Sequence, residues 1–255
     1  LLTIIYLGDI YFTTLIFFAI FVCTKELSDI CEKINISIQT LWLYLFYILL
    51  YITHFISVQD IGALLYIELL SIAVLLICLS ELFRNTETPL RNISVTVFSL
   101  IWIGIFLNSL VLIRTNFDVE ITYLLFLSVW VCDTFAFFLG SKFGERKIFP
   151  KISPNKTWFG SISGFIFTIV FIFLVSISGF ISENILEFNI VNILLMAIIF
   201  GIVSQVGDAV ESMIKREIGI KDSGSILQGH GGILDRMDSL ILASPFFYIF
   251  LKLVS

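Results

Sequence analysis

Eight long apolar runs, separated by short polar segments, constrain this sequence more than any other feature. A run of about 20 apolar residues can cross a bilayer as a helix, because a helix satisfies its own backbone hydrogen bonds in lipid. Charged residues form only 14% of the chain, against about a quarter in soluble domains, so a soluble fold could not bury the apolar surface. The sequence therefore predicts an all-α, polytopic integral membrane protein with eight full transmembrane helices. The predicted spans cover residues 10–23, 37–58, 61–83, 93–113, 121–140, 161–181, 189–206 and 239–254.

Residues 1–7 look like the end of a further, ninth helix. The chain begins at Leu1 without an initiator methionine, so we expect this segment to be an N-terminal stub whose first residues are missing. Because apolar runs occur along the whole chain, residues 1–255 are expected to form a single membrane domain, with N-terminal spans in 1–128 and motif-bearing spans in 129–255. The net charge of −5 argues against a nucleic-acid partner, which would require an excess of Lys and Arg.

The basic residues fall mainly on one side of the predicted membrane. Thirteen of the 15 Lys and Arg residues lie in the loops after the first, third, fifth and seventh spans, and Arg114 and Lys252 lie opposite. Loops rich in Lys and Arg stay in the cytoplasm. The polar loops 141–160 and 207–238 therefore face the same compartment, which holds nucleotides. We expect an integral protein of the bacterial cytoplasmic (inner) membrane, with its active site facing the cytoplasm.

The most informative polar stretch, residues 207–238, directly follows the apolar run that ends at Val206. If the helix continues beyond Val206, four polar side chains at spacings i, i+3, i+4 and i+7 share one face. They belong to Asp208, Glu211, Ser212 and Lys215. Asp235 and Asp238 likewise share a face at the head of the last helix. Between the two groups, residues 228–232 read Gln-Gly-His-Gly-Gly, a turn whose backbone N–H groups can approach phosphate closely.

This set of residues suits phosphoryl or nucleotidyl transfer. Carboxylates such as Asp208 and Asp235 bind Mg²⁺ through hard oxygen ligands and leave positions for water and phosphate, and the metal neutralises charge on the attacking and leaving oxygens. His230 is suited to bonding a phosphate or to proton transfer. Four basic side chains can contact a triphosphate and a second phosphate: Lys215, Arg216, Lys221 and Arg236. The alternative is an ordinary solvated loop.

A second polar group begins inside a predicted span, at Asp133. A carboxylate at the centre of a membrane helix costs roughly 2.5–3.5 kcal/mol on insertion scales. Asp133 is therefore expected to face a polar cavity, unless a hydrogen bond near Thr134 makes it purely structural. Further along, four side chains around a proline-fixed turn are candidate phosphate or base contacts: Ser153, Asn155, Lys156 and Thr157. The basic segment 142–156 could instead anchor the loop to anionic lipid headgroups.

Three segments form a recognisable set. The first reads Ser-Met-Ile-Lys-Arg at 212–216 and Lys-Asp at 221–222, and continues as His-Gly-Gly-Ile-Leu-Asp-Arg-Met-Asp at 230–238. The others read Ile-Ser-Pro-Asn-Lys-Thr-Trp at 152–158 and Asp-Thr-Phe-Ala-Phe at 133–137. Together they resemble the signature of the phosphatidate cytidylyltransferase (CDP-diacylglycerol synthase) family. The N-terminal half resembles the family only in its apolar spans ending in an acidic residue, as at Glu26.

The resemblance implies an enzyme that joins CTP and phosphatidic acid into CDP-diacylglycerol in phospholipid biosynthesis and releases pyrophosphate. It implies that Asp208 and Asp235 bind the catalytic cations, Mg²⁺ and a second, monovalent cation such as K⁺. It also implies an all-helical fold among membrane lipids, often as a homodimer. We assign catalytic roles to Lys221, Asp222, His230 and Asp238. Substrate binding is assigned to Asp133, Ser153, Asn155, Lys156, Thr157, Ser212, Lys215, Arg216 and Arg236.

Two residues depart from the family pattern. After Trp158 the family usually has Glu-Gly, whereas this chain has Phe159 and Gly160, and Asn155 stands where a basic residue is common. An acidic role at position 159 is therefore not assigned.

Two other functions are compatible with parts of the sequence. A CTP-dependent lipid kinase of the polyprenol or phosphatidate type shares parts of the nucleotide motif, but it would transfer the γ-phosphate and release CDP. An ion-coupled transporter is a remote alternative, because transport predicts ionisable residues paired across several spans, and Asp133 is the one clear mid-span carboxylate.

Overall fold

Helices form most of the computed structural model, which describes residues 1–55, 62–182, 185–224 and 231–254. Within these ranges the helices are α1 Leu2–Leu7, α2 Asp9–Glu32, α3 Thr40–Thr53, α4 Gly62–Arg84, α5 Pro89–Asn116, α6 Val119–Phe143, α7 Trp158–Ser178, α8 Ile190–Ile218 and α9 Leu234–Val254. Six of these described helices, α2 and α5 to α9, are long and apolar enough to cross a membrane. The all-α, polytopic membrane architecture is therefore confirmed. The count of eight spans stays a prediction, because α3 has only 14 residues and α4 is not among these six helices.

Two helices extend well beyond their apolar runs. The predicted first span ends at Cys23, which is wrong, because α2 continues to Glu32. The polar extension stays helical while it packs against the rest of the protein, and Glu26 and Ser28 are both buried there. α8 likewise continues past Val206 and ends at Ile218. This continuation confirms the condition on which the polar face of α8 was predicted.

Two helices contain a π-helical segment. Leu100–Ile105 interrupts α5, and Ile199–Val203 interrupts α8. Such segments are rare and are frequent at functional sites, because the wider turn changes the direction in which the following side chains point. The segment in α8 ends shortly before Asp208, so it contributes to the orientation of the polar face.

A short β-hairpin interrupts the helical fold between α6 and α7. β1 (Lys147–Phe149) pairs antiparallel with β2 (Ser153–Thr157). The sequence predicted a polar loop at 141–160, and the two short strands within it were not predicted. Pro154 gives a physical reason, because a proline disfavours the helical conformation of the residue before it and favours an extended one. The predicted turn at Pro154 is wrong, because Pro154 and the four candidate contacts lie in strand β2, and the turn of the hairpin covers residues 150–152.

Buried aromatic side chains pack the helices together. Phe200 of α8 meets Phe247 of α9 edge-on, with ring centroids 4.7 Å apart. Phe12 of α2 meets Phe126 of α6 in the same way at 6.3 Å. Many other large apolar side chains are exposed on the outer surface, for example on α7 and α8. This distribution suits a protein surrounded by lipid, because lipid does not expel apolar surface as water does.

A buried polar cluster joins the ends of α3, α4 and α5. Glu81 is 3% exposed. It accepts hydrogen bonds from Asn92 Nδ2 at 2.7 Å and Gln39 Nε2 at 2.8 Å, and it pairs with Arg84 at 3.0 Å. These donors compensate the burial of a carboxylate. The cluster belongs to the N-terminal spans, and we assign it a structural role.

Candidate active site

The polar face predicted for α8 is present in the structure. Ser212 Oγ donates to Asp208 Oδ1 at 3.3 Å, and Lys215 Nζ forms an ion pair with Glu211. Both pairs are four residues apart, the separation that brings side chains together on a helix. Glu211 is 1% and Lys215 8% exposed. This part of the face therefore points into the protein.

Lys215 also joins α8 to the start of α9. Its Nζ atom lies 2.6 Å from Asp235 Oδ1, so Glu211 and Asp235 share one ammonium group. The lysine thereby offsets the repulsion between two neighbouring carboxylates. The predicted contact of Lys215 with a substrate stays a prediction, because in this structure the ammonium group of Lys215 is paired with the two carboxylates.

Three more hydrogen bonds hold the Asp235 carboxylate. The backbone nitrogen and the hydroxyl of Ser223 each donate to Oδ2 at 3.0 Å, and the backbone nitrogen of Gly232 donates at 2.7 Å. Hydrogen bonds to an ionised carboxylate are shorter and stronger than neutral ones. Asp235 is therefore firmly placed at the head of α9, where the sequence predicted it.

Glu26 of α2 lies beside Asp235, and the motifs did not assign it to the site. Its carboxylate accepts hydrogen bonds from the backbone nitrogens of Ile233 at 3.0 Å and Leu234 at 2.8 Å. The Ser223 hydroxyl lies 3.3 Å from Glu26 Oε2. Its only signal in the sequence is an acidic residue after an apolar run, and that signal is too common to identify a site.

A second group of charges surrounds Lys156 on β2. Lys156 Nζ lies 2.7 Å from Asp208 Oδ2. Asp133 and Asp238 interact electrostatically with Asp208 and with Lys156. Asp238 also interacts with Glu211, which places this group next to the first. Asp133, which lies within α6, therefore has charged neighbours on other elements, as expected for a carboxylate in a membrane helix.

The backbones of α8 and α9 meet at Gly207. A Cβ atom at this position would lie 2.5 Å from the carbonyl oxygen of Asp238. Because the backbone of α9 cannot move aside locally, we expect Gly207→Ala to separate the two helices. Overpacking of this kind costs about 1–3 kcal/mol, so the melting temperature in detergent and the turnover rate should both fall. An unchanged melting temperature would contradict the close contact.

The residues of the hairpin lie in different environments. Asn155 is exposed and Ser153 is half-buried, so both can be reached from outside. Thr157 is 3% exposed, and its Oγ1 accepts a hydrogen bond from the backbone nitrogen of Gly160 at 3.1 Å. Thr157 therefore caps the N-terminus of α7, and its contact with a substrate stays a prediction.

Loss of this cap is expected to destabilise the protein. Thr157→Ala removes the acceptor for Gly160, and loss of an N-cap costs about 1 kcal/mol. Thr157→Ser keeps the hydroxyl and should keep the melting temperature. Two measurements on both variants, the melting temperature and the rate of CTP turnover, separate a capping role from a substrate-binding role. A loss of turnover in Thr157→Ala without a change in melting temperature would favour substrate binding over capping.

The other predicted residues lie around the end of α8 and the start of α9. Arg216 binds two carbonyl oxygens, that of Ile152 through Nε at 3.1 Å and that of Ile220 through Nη1 at 2.6 Å. It therefore ties the hairpin to the end of α8. Three predicted residues are exposed and accessible to a ligand: Lys221, Asp222 and Arg236. His230 and residues 228–229 of the glycine-rich turn lie outside the described residues.

Phe159 occupies the position where the family usually has glutamate. Its ring is about half exposed and meets Phe143 edge-on, with centroids 5.9 Å apart. This position therefore contributes an aromatic contact between α6 and α7 and no charge.

The carboxylates of this site are suited to binding Mg²⁺ together with the phosphate groups of a substrate. Across the described ranges, no group of three His, Cys, Asp or Glu side chains is arranged to hold a metal alone. Mg²⁺ does not require such a cage, because one or two carboxylates, water and substrate phosphates usually bind it. Asp208 and Asp235 offer two such carboxylates, and each forms an ion pair with one lysine.

Comparison with known proteins identifies the family. The model of the cytidylyltransferase family matches residues 1–254. The chain is 36% identical to the phosphatidate cytidylyltransferase of Bacillus subtilis over 71% of its own length and 66% of that protein. It is 36% identical to the Thermotoga maritima enzyme over 67% and 63%, and 32% identical to that of Brucella abortus over 79% and 70%. The matches thus span just under two thirds of the first two relatives. The chain belongs to the cytidylyltransferase family.

Proposed function

We propose that this protein is a CTP:phosphatidate cytidylyltransferase, which makes CDP-diacylglycerol and pyrophosphate in phospholipid biosynthesis. One observation carries the proposal. Lys215 links Glu211 and Asp235 across α8 and α9, and the second group of carboxylates adjoins them, within a chain of the cytidylyltransferase family. The relatives named as phosphatidate cytidylyltransferases support phosphatidic acid as the acceptor.

The proposed reaction takes place at the α-phosphorus of CTP. An oxygen of the phosphatidate phosphate forms a bond to this phosphorus, the bond to the oxygen that bridges the α- and β-phosphates breaks, and pyrophosphate leaves with that oxygen. Lys156 and Lys215 supply positive charge beside the carboxylates, where charge develops on the phosphate oxygens. Bound at Asp208 and Asp235, Mg²⁺ would neutralise further charge on the attacking and leaving oxygens.

The remaining roles are part of the same proposal. The exposed side chains of Lys221 and Arg236 are suited to phosphate contacts, and Ser212 and Asn155 offer polar contacts to the substrates. Asp222, His230 and Asp238 are proposed catalytic groups. K⁺ is proposed as the second cation.

We also propose a topology and an assembly. The partition of Lys and Arg supports eight spans in one membrane domain, with the hairpin and the α8–α9 loop at the cytoplasmic face of the inner membrane. A homodimer is proposed from the family resemblance.

Product analysis tests the proposed activity. The purified protein is incubated with CTP, phosphatidic acid and Mg²⁺, and the released products are measured. We expect pyrophosphate and CDP-diacylglycerol in equal amounts, and no product when either substrate is omitted. Release of CDP with a phosphorylated lipid would identify a lipid kinase and contradict the proposal.

A further inference from the structure

Glu26 is a buried carboxylate that the proposed reaction does not yet use. It is 3% exposed and lies on α2, in the half of the chain that carries none of the recognised motifs. A carboxylate in such a place costs several kcal/mol unless it is hydrogen-bonded or paired. Within the described residues, its hydrogen-bond partners belong to the segment that presents Asp235.

The first partners are backbone groups at the start of α9. The first N–H groups of a helix have no partner inside the helix and carry partial positive charge. The Glu26 carboxylate accepts hydrogen bonds from two of these groups, the backbone nitrogens of Ile233 at 3.0 Å and Leu234 at 2.8 Å. It thereby fixes the position of the helix end one residue before Asp235.

The second partner is the hydroxyl of Ser223, which lies between two carboxylates. Its Oγ is 3.3 Å from Glu26 Oε2 and 3.0 Å from Asp235 Oδ2. The same loop is packed tightly around Glu26, since a Cβ atom at Gly232 would lie 2.5 Å from Glu26 Oε2 and one at Gly224 2.6 Å from Oε1. The hydrogen-bond donors of this segment are therefore shared between two carboxylates, those of Glu26 and Asp235.

We propose that Glu26 is a positioning residue, which holds Ser223 and the start of α9 so that the Asp235 carboxylate points into the catalytic centre. This inference rests on the proposed function, in which Asp235 binds Mg²⁺. Residues behind a metal ligand typically change metal affinity or activity about 10- to 100-fold when they are replaced. The N-terminal spans therefore contribute to the catalytic site as well as to the fold.

The test compares two buried carboxylates of the N-terminal spans. Glu26→Gln keeps the shape of the side chain but removes the charge and one good acceptor, whereas Glu81→Gln makes the same change in the cluster of α3, α4 and α5. The readouts are the turnover rate, the Mg²⁺ concentration for half-maximal rate, and the rise in melting temperature on adding Mg²⁺ without substrates. Glu26→Asp tests whether a shorter carboxylate restores the contacts in part.

We expect Glu26→Gln to lower turnover about 10- to 100-fold, to raise the Mg²⁺ requirement and to reduce the rise in melting temperature. Glu81→Gln is expected to lower the melting temperature without changing the Mg²⁺ requirement. An unchanged Mg²⁺ requirement in Glu26→Gln would overturn the inference. If that variant does not fold, Ser223→Ala decides, because it removes only the shared hydroxyl and should shift the Mg²⁺ requirement in the same direction. A wild-type protein that makes no CDP-diacylglycerol would instead refute the proposed function.

Discussion

Asp235→Asn should reduce turnover by roughly a thousandfold, since a charge stabilisation of several kcal/mol is lost and each 1.36 kcal/mol corresponds to about a factor of ten. The amide is nearly the same size as the carboxylate, but it lacks the charge that pairs with Lys215 at 2.6 Å and that we propose binds Mg²⁺. The initial rate of CDP-diacylglycerol formation measures the effect.

Asp29→Asn is the matched control for this change. Asp29 also carries a carboxylate paired with a lysine, Lys25, at 3.0 Å, but its side chain is 55% exposed. Exposed pairs contribute about 0–1 kcal/mol to stability, so this variant should keep both its rate and its melting temperature. Full activity of a folded Asp235→Asn protein would remove the role of cation ligand from Asp235.

Lys215→Met should produce the largest loss of stability. Its removal leaves Glu211 and Asp235 as neighbouring, largely buried carboxylates, and breaking a buried pair by removing one partner costs about 3–5 kcal/mol. Glu211 has no hydrogen-bond donor of good geometry within the described part of the chain, which increases its dependence on the lysine. We expect a strongly lowered melting temperature in detergent and no measurable turnover.

A second substitution separates charge repulsion from lost packing. Glu211→Gln in the Lys215→Met background removes one of the two like charges, so the double variant should recover part of the melting temperature while it stays inactive. If the double variant is as unstable as Lys215→Met alone, the ion pair does not explain the stability of the α8–α9 contact.

Local patterns predicted the parts of the site that depend on neighbouring residues. The face of α8 follows from helical spacing, and the pairs Asp208–Ser212 and Glu211–Lys215 are both four residues apart. The place of Asp235 at the head of α9 follows from the end of the polar stretch. These features required only the helix period and the limits of the apolar runs.

Contacts between distant residues could not be predicted in this way. Glu26 and Leu234 are separated by 208 positions, and no local pattern connects them. The hairpin was missed because its strands are only three and five residues long, too short for a recognisable alternation. The end of α2 was misplaced because the helix continues through polar residues that only the tertiary structure buries.

The position of a radioactive label in CTP tests the central claim most directly. Purified protein is given phosphatidic acid, Mg²⁺ and CTP labelled with ³²P at either the α- or the γ-phosphate. The Asp235→Asn variant is assayed in parallel under the same conditions. Cytidylyl transfer predicts that the α-label enters the lipid fraction, that the γ-label leaves in pyrophosphate, and that the variant transfers neither. Transfer of the γ-label to lipid, or transfer of the α-label by Asp235→Asn at the wild-type rate, would contradict the account.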